Sequence, residues 1–116
     1  MRTYIPAWYS IGISKERYLE LTHFCRQYPE WVSGIHTRRA SAAAAGILRR
    51  IQIVNECAAA VAGGQWYNAI MQNVCQGKPY TSIEQSDLPT SSRNSFFKAR
   101  KEFFVKLNAV LMERGV

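Results

Sequence analysis

The chain has 116 residues, 47% of them hydrophobic and 20% charged, a size that supports one modest core and a balance that excludes wholesale disorder. Fifteen Lys and Arg against eight Asp and Glu leave a formal charge of +7, and a field of that sign attracts phosphates and other anions over long range. No apolar run approaches the roughly 20 residues a membrane helix needs, and residues 1–10 hold no continuous apolar stretch before a small-residue cleavage site, so no span, no secretory signal and a cytoplasmic location are expected.

In chain order, the first dozen residues lack periodicity and contain Pro6 and Gly12, which predicts an irregular lead-in. Ser14 is a candidate N-cap with Glu16 in the first turn. Tyr18, Leu21, Phe24 with Cys25, and Tyr28 then recur at helical spacing. This predicts a helix over 14–28 stopped by Pro29, with Trp31 packed just beyond its end. A loop containing Ser33, Gly34 and His36 should follow.

The strongest periodicity runs through Ala40, Ala44, Ile47, Ile51, Val54, Ala58 and Val61, stepping by four and three. It predicts a long central helix over 38–62, closed by Gly63 and Gly64. Two uses of this stripe stay open: a core face within the monomer, or a homodimer seam through 40–61, where small residues let helices approach closely. Arg49, Arg50 and Glu56 fall off the stripe.

Residues 65–75 predict a shorter helix with Trp66, Ala69, Ile70 and Val74 on one side, ended by Gly77 and Pro79. Thr81-Ser82-Ile83-Glu84 fits a capping box and predicts a brief helix that Asp87-Leu88-Pro89 breaks within two turns. Thr90-Ser91-Ser92 then caps a last helix running nearly to Glu113. No strand-like alternation of useful length occurs. The expectation is an all-α single domain over 1–116, a bundle of about five helices with a helix-turn-helix at 80–113.

That C-terminal segment carries the functional expectation. Ile83 and Leu88 should anchor a short helix and turn, while Phe96, Ala99, Phe103, Leu107 and Val110 line the core face of the last helix. Asn94, Lys98 and Lys101 then fall opposite, at i, i+4 and i+7, as one ridge. Asn suits adenine edges and Lys suits guanine or phosphate. Thr90, Ser91, Ser92 and Arg93 stand at the helix start, where hydroxyls and free N–H groups suit phosphate oxygens. Arg100 belongs to the same candidate set, although by angle it lies in the apolar arc and can snorkel along Phe104. Arg49 and Arg50, with Arg38 and Arg39 nearby, form a second basic cluster placed to meet flanking backbone phosphates or simply water.

The stretch Leu88-Pro89-Thr90-Ser91-Ser92-Arg93-Asn94-Ser95-Phe96-Phe97-Lys98-Ala99-Arg100-Lys101-Glu102-Phe103-Phe104 resembles the C-terminal helix-turn-helix of small prophage and mobile-element proteins of Firmicutes. Ser14-Lys15-Glu16-Arg17-Tyr18 and Gln27-Tyr28-Pro29-Glu30-Trp31 are similar to members of the same group. More distantly, the C-terminal part resembles ArpU-type phage late-transcription regulators and region four of sigma factors. The resemblance implies a double-stranded DNA partner and a transcriptional role, with Thr90 to Asn94 and Lys98 at the groove.

Other chemistry has little support in the sequence. Cys25, Cys57 and Cys75 are odd in number and widely spaced, and His23 and Cys25 would point apart on a helix, so neither a disulfide framework nor a metal site is expected. No catalytic Ser/His/Asp, Cys/His or paired-carboxylate spacing appears, and no glycine loop precedes a Lys-Ser/Thr pair; no enzyme and no cofactor are expected. The alternative function is a protein-interaction module, an RNA polymerase accessory or a phage assembly protein, associating through the central helix with Trp8, Tyr9 and Trp66 as exposed aromatics. RNA binding ranks behind both, because the aromatics lie on apolar stripes instead of an open stacking platform.

Overall fold

The computed structural model describes residues 12–35 and 42–114, and among these the fold is all-α. Five α-helices follow in order: α1 Lys15–Arg26, α2 Tyr28–Ile35, α3 Ala42–Ala60, α4 Tyr67–Val74 and α5 Arg93–Arg114. Three 3₁₀ turns, Val61–Gly64, Tyr80–Ser82 and Gln85–Asp87, punctuate the second half. The lead-in up to residue 11, with Trp8 and Tyr9, lies outside the described residues, as do His36, Arg38, Arg39 and Ala40.

Ser14 caps α1 as its side chain predicts, its Oγ accepting from the Arg17 N–H at 3.1 Å, and Leu21 and Cys25 face the core. Pro29 ends nothing further: residues 28–35 form α2 in place of the expected loop. Proline sits in the first turn of that helix, where its missing N–H has no intrahelical partner to lose. Trp31, buried within α2, meets Phe24 edge-on at 4.9 Å between ring centres.

The central stripe is core. Ala44, Ile47, Val54, Ala58 and Val61 are buried, Ile51 is half-buried, and Ile53 and Cys57 are buried beside them. A stripe this broad serves several neighbours at once, and α3 packs against α2, α4 and α5. Over the described residues, Ala44 to Val61, the face considered as a homodimer seam through 40–61 packs within the chain. Where α3 gives way to its 3₁₀ turn, Ala62, Gly63 and Gly64 all adopt positive φ (46°, 71° and 87°), a conformation that glycine takes without penalty and alanine does not.

The expected helix at 81–87 does not form. Tyr80–Ser82 and Gln85–Asp87 are single turns, with Ile83 and Glu84 extended between them (ψ 130° and 142°). Burial of Ile83 draws the chain inward, and Leu88 is held extended ahead of Pro89 as a pre-proline residue prefers. A capping box satisfies a helix start, but a break this close leaves too few residues to repay nucleation. The helix-turn-helix expected at 80–113 therefore lacks an α-helical first member; the α-helices flanking the connection are α4 and α5.

Candidate nucleic-acid interface

The start of α5 is built by three local devices. Thr90 Oγ1 accepts from the Ser92 N–H at 2.8 Å, Ser92 Oγ accepts from the Ser95 N–H at 3.2 Å, and the Tyr80 hydroxyl donates to the Ser91 carbonyl at 3.0 Å. The first two form the turn and N-cap that the sequence predicts; the third pins the loop to the 3₁₀ turn at Tyr80–Ser82. The hydroxyl oxygens of Thr90 and Ser92 are thus engaged, while Ser91 is exposed.

Phe96, Ala99, Phe103, Phe104, Leu107 and Leu111 bury one broad face of α5. Phe96 sits among Trp66, Tyr80 and Phe97, with ring centres 6.1, 5.1 and 5.1 Å away. Full burial of each Phe contributes on the order of 1.5–3 kcal/mol, so this face sets the helix's rotation. Asn94, Lys98 and Lys101 are consequently exposed along the opposite ridge. Further along, the ridge turns apolar at Val105 and Met112, 49% and 71% exposed.

The arginines divide by role. Arg93 is exposed, its guanidinium over the rings of Phe97 and Tyr80 at 5.4 and 5.7 Å. Arg100 leaves the candidate ridge. It is half-buried, with Nε donating to Asn73 Oδ1 at 2.7 Å and a terminal nitrogen to the Tyr18 hydroxyl at 3.0 Å, and it lies 4.8 Å over Phe104. It therefore joins α1, α4 and α5. The apolar arc places it there, and the long side chain turns that position into a tie between helices. Arg49 and Arg50 are exposed on α3, on the half that precedes Glu56, whose carboxylate meets Arg114 at 3.5 Å.

Among the described residues the ion pairs are Arg17–Glu20 and Arg114–Glu56, both at least partly exposed; Lys98, Lys101, Arg93 and Arg100 take part in neither. Burial holds the thiols protonated. Burial raises Cys25 well above the ordinary range, and burial, partly offset by Arg26, pushes Cys75 up to about 12. Cys57 is raised as well, again by burial. No group of three His, Cys, Asp or Glu fit to hold a metal lies among the described residues, and no described helix is long and apolar enough to cross a membrane.

Several organising residues carry no advance signal. Asn55 Oδ1 accepts from the hydroxyls of both Tyr28 and Tyr67, at 2.8 and 2.9 Å. Asn73, Tyr18 and Tyr80 position Arg100 and the α5 entrance from distant points in the chain. A helical wheel of α5 points at Arg100's burial, but nothing local identifies its partners.

No protein-family model, curated protein or solved structure matches the chain.

Proposed function

We propose that the protein binds double-stranded DNA without catalysis, presenting the N-terminal half of α5 to the major groove, and acts as a transcriptional regulator of prophage type. The observation that carries this reading is the ridge of Asn94, Lys98 and Lys101, exposed and without an ion pair or hydrogen-bonded side-chain partner among the described residues. With net charge +7, the chain presents lysines outside its ion pairs on the face a groove-reading helix would use. Ser91 and Arg93 flank the ridge at the helix start, suited to backbone phosphates. Support for α5 comes from its face packed on α1, α3 and α4, from the Arg100–Asn73 hydrogen bond and from the Tyr80–Ser91 hydrogen bond.

A second reading has its own observation. Val105 and Met112 continue the ridge as exposed apolar groups and suit a protein partner, RNA polymerase among the candidates, docked along the same helix.

The test is electrophoretic mobility shift on mixed duplex DNA at low and moderate salt, with Asn94→Ala/Lys98→Ala/Lys101→Ala alongside wild type. Binding that weakens steeply with salt, and a salt slope made shallower by roughly 0.9 per lost phosphate contact in the variant, supports the DNA reading. Folded wild type that fails to bind at low salt rejects it and puts the protein-partner reading first.

A further inference from the structure

Beside the ridge, a cleft of about 330 Å³ opens between the 3₁₀ turn Tyr80–Ser82 and α5. Its charged lining consists of Arg93 and Arg100, and no Asp or Glu lines it. The two arginines are seven residues apart, hence on one side of the helix and about 10.5 Å apart along its axis. Tyr80, Phe97 and the exposed Thr81 complete the walls.

Both guanidiniums are held in place by neutral groups. Arg100 donates to the Asn73 side-chain carbonyl and the Tyr18 hydroxyl, which uses two of its five N–H donors. Arg93 rests on aromatic faces, a contact that leaves the edge of the guanidinium free for a forked bond. A half-buried cation with neutral acceptors alone lacks the charge neutralisation that burial normally demands. The neighbouring cleft lined by Gln72, Lys78, Glu84 and Asp87 carries both signs and has no such surplus.

We infer that the Arg93–Arg100 cleft binds the phosphate of a phosphorylated ligand. The two positive charges, spaced along the helix, match a diphosphate with one phosphoryl group to each arginine, and the 330 Å³ volume falls in the lower range of small-molecule sites. The inference goes beyond DNA binding by the ridge: the cleft shares Arg93 with the flank of that ridge, whereas Arg100, Tyr80, Thr81 and Phe97 belong to the cleft alone. The phosphate can come from a free phosphorylated molecule or from a nucleic-acid backbone, and the arms below separate these sources.

The experiment is isothermal titration of the full chain with inorganic pyrophosphate at low salt, with a duplex DNA titration in parallel. Wild type should bind pyrophosphate, and Arg93→Gln should weaken that binding by about tenfold or more, the loss expected for a charge-assisted hydrogen bond. Arg100→Gln removes a tie between helices and is prone to unfold, so Thr81→Glu serves as the second variant. It adds a negative charge to the cleft wall at an exposed position and should abolish binding. Lys98→Ala/Lys101→Ala, which leaves the cleft intact, should keep pyrophosphate binding even where it loses DNA, and that result assigns the site to a free ligand. If Arg93→Gln and Thr81→Glu weaken duplex binding while pyrophosphate competes with the duplex only weakly, the phosphate is that of the backbone. Folded wild type that binds neither probe, or binding indifferent to both cleft variants, overturns the inference.

Discussion

Nε of Arg100 donates to Oδ1 of Asn73 across 2.7 Å, bringing together residues 27 positions apart and making one cation a shared fastener of α4 and α5. With its second donor on the Tyr18 hydroxyl, Arg100 brings α1 into the same contact. Arg17, whose Nε donates to Asn108 Oδ1 at 2.7 Å, repeats the arrangement further along α5.

Arg100→Ala should therefore destabilise the fold by about 2–3 kcal/mol, the sum of two hydrogen bonds to a charged donor and a stacking contact, discounted for partial exposure. Arg100→Lys should recover little, because an ammonium cannot span both acceptors in one plane. Urea denaturation followed by circular dichroism gives the difference. A loss below about 0.5 kcal/mol would mean that the side chain is not a fastener.

Ala62 stands at φ 46° between α3 and two glycines that turn the same way. Relief of left-handed strain, about 1–2 kcal/mol, exceeds the entropy that glycine adds to the unfolded chain, about 0.4–1 kcal/mol. Ala62→Gly should stabilise by about 0.5–1 kcal/mol, seen as a raised Tm. Gly64→Ala should do the opposite, since its φ is 87° and a Cβ would sit 3.3 Å from the Ala59 carbonyl oxygen.

Asn55 gathers the Tyr28 and Tyr67 hydroxyls on one oxygen, joining α2, α3 and α4. Asn55→Leu leaves both hydroxyls to find water and should cost about 1–3 kcal/mol. Because the three side chains form one network, the double variants Asn55→Leu/Tyr28→Phe and Asn55→Leu/Tyr67→Phe should lose less than the sum of their parts. Strict additivity in denaturant midpoints would count against the network.

Burial raises all three thiols, Cys75 to about 12. The folded state therefore favours the protonated form, and unfolded thiols ionise first. This contribution to stability is complete below the unfolded thiol pKa, about 8.5, and falls as pH rises from there toward the folded values. Denaturant midpoints at pH 7, 9 and 10.5 should decline, and Cys75→Ala should make that decline shallower. In the native protein at pH 8, alkylation by iodoacetamide should be slow at all three positions and become fast on unfolding.

Much of this architecture is local and so already present in the order of residues. Ser14 and Ser92 cap their helices because each hydroxyl needs only an N–H three residues on. The spacing of Ala44, Ile47, Val54, Ala58 and Val61 identifies a buried face by periodicity alone, and the phenylalanines of α5 do the same while turning Asn94, Lys98 and Lys101 outward. Tertiary structure decided what those faces meet. Whether the α3 stripe packed within the chain or against a second copy depended on where α2, α4 and α5 came to rest. Thr81–Glu84 carries a valid helix start, yet burial of Ile83 and the extended residue before Pro89 win, because a two-turn helix gains too little from its own hydrogen bonds. Pro29 reads as a stop but sits in a first turn once Trp31 has a core to enter. Arg100 has a position on the wheel but no local partner; Asn73 and Tyr18 become its acceptors only when three helices converge. Capping and periodicity act over a few residues, whereas these contacts join residues distant in the chain, and only packing brings them together.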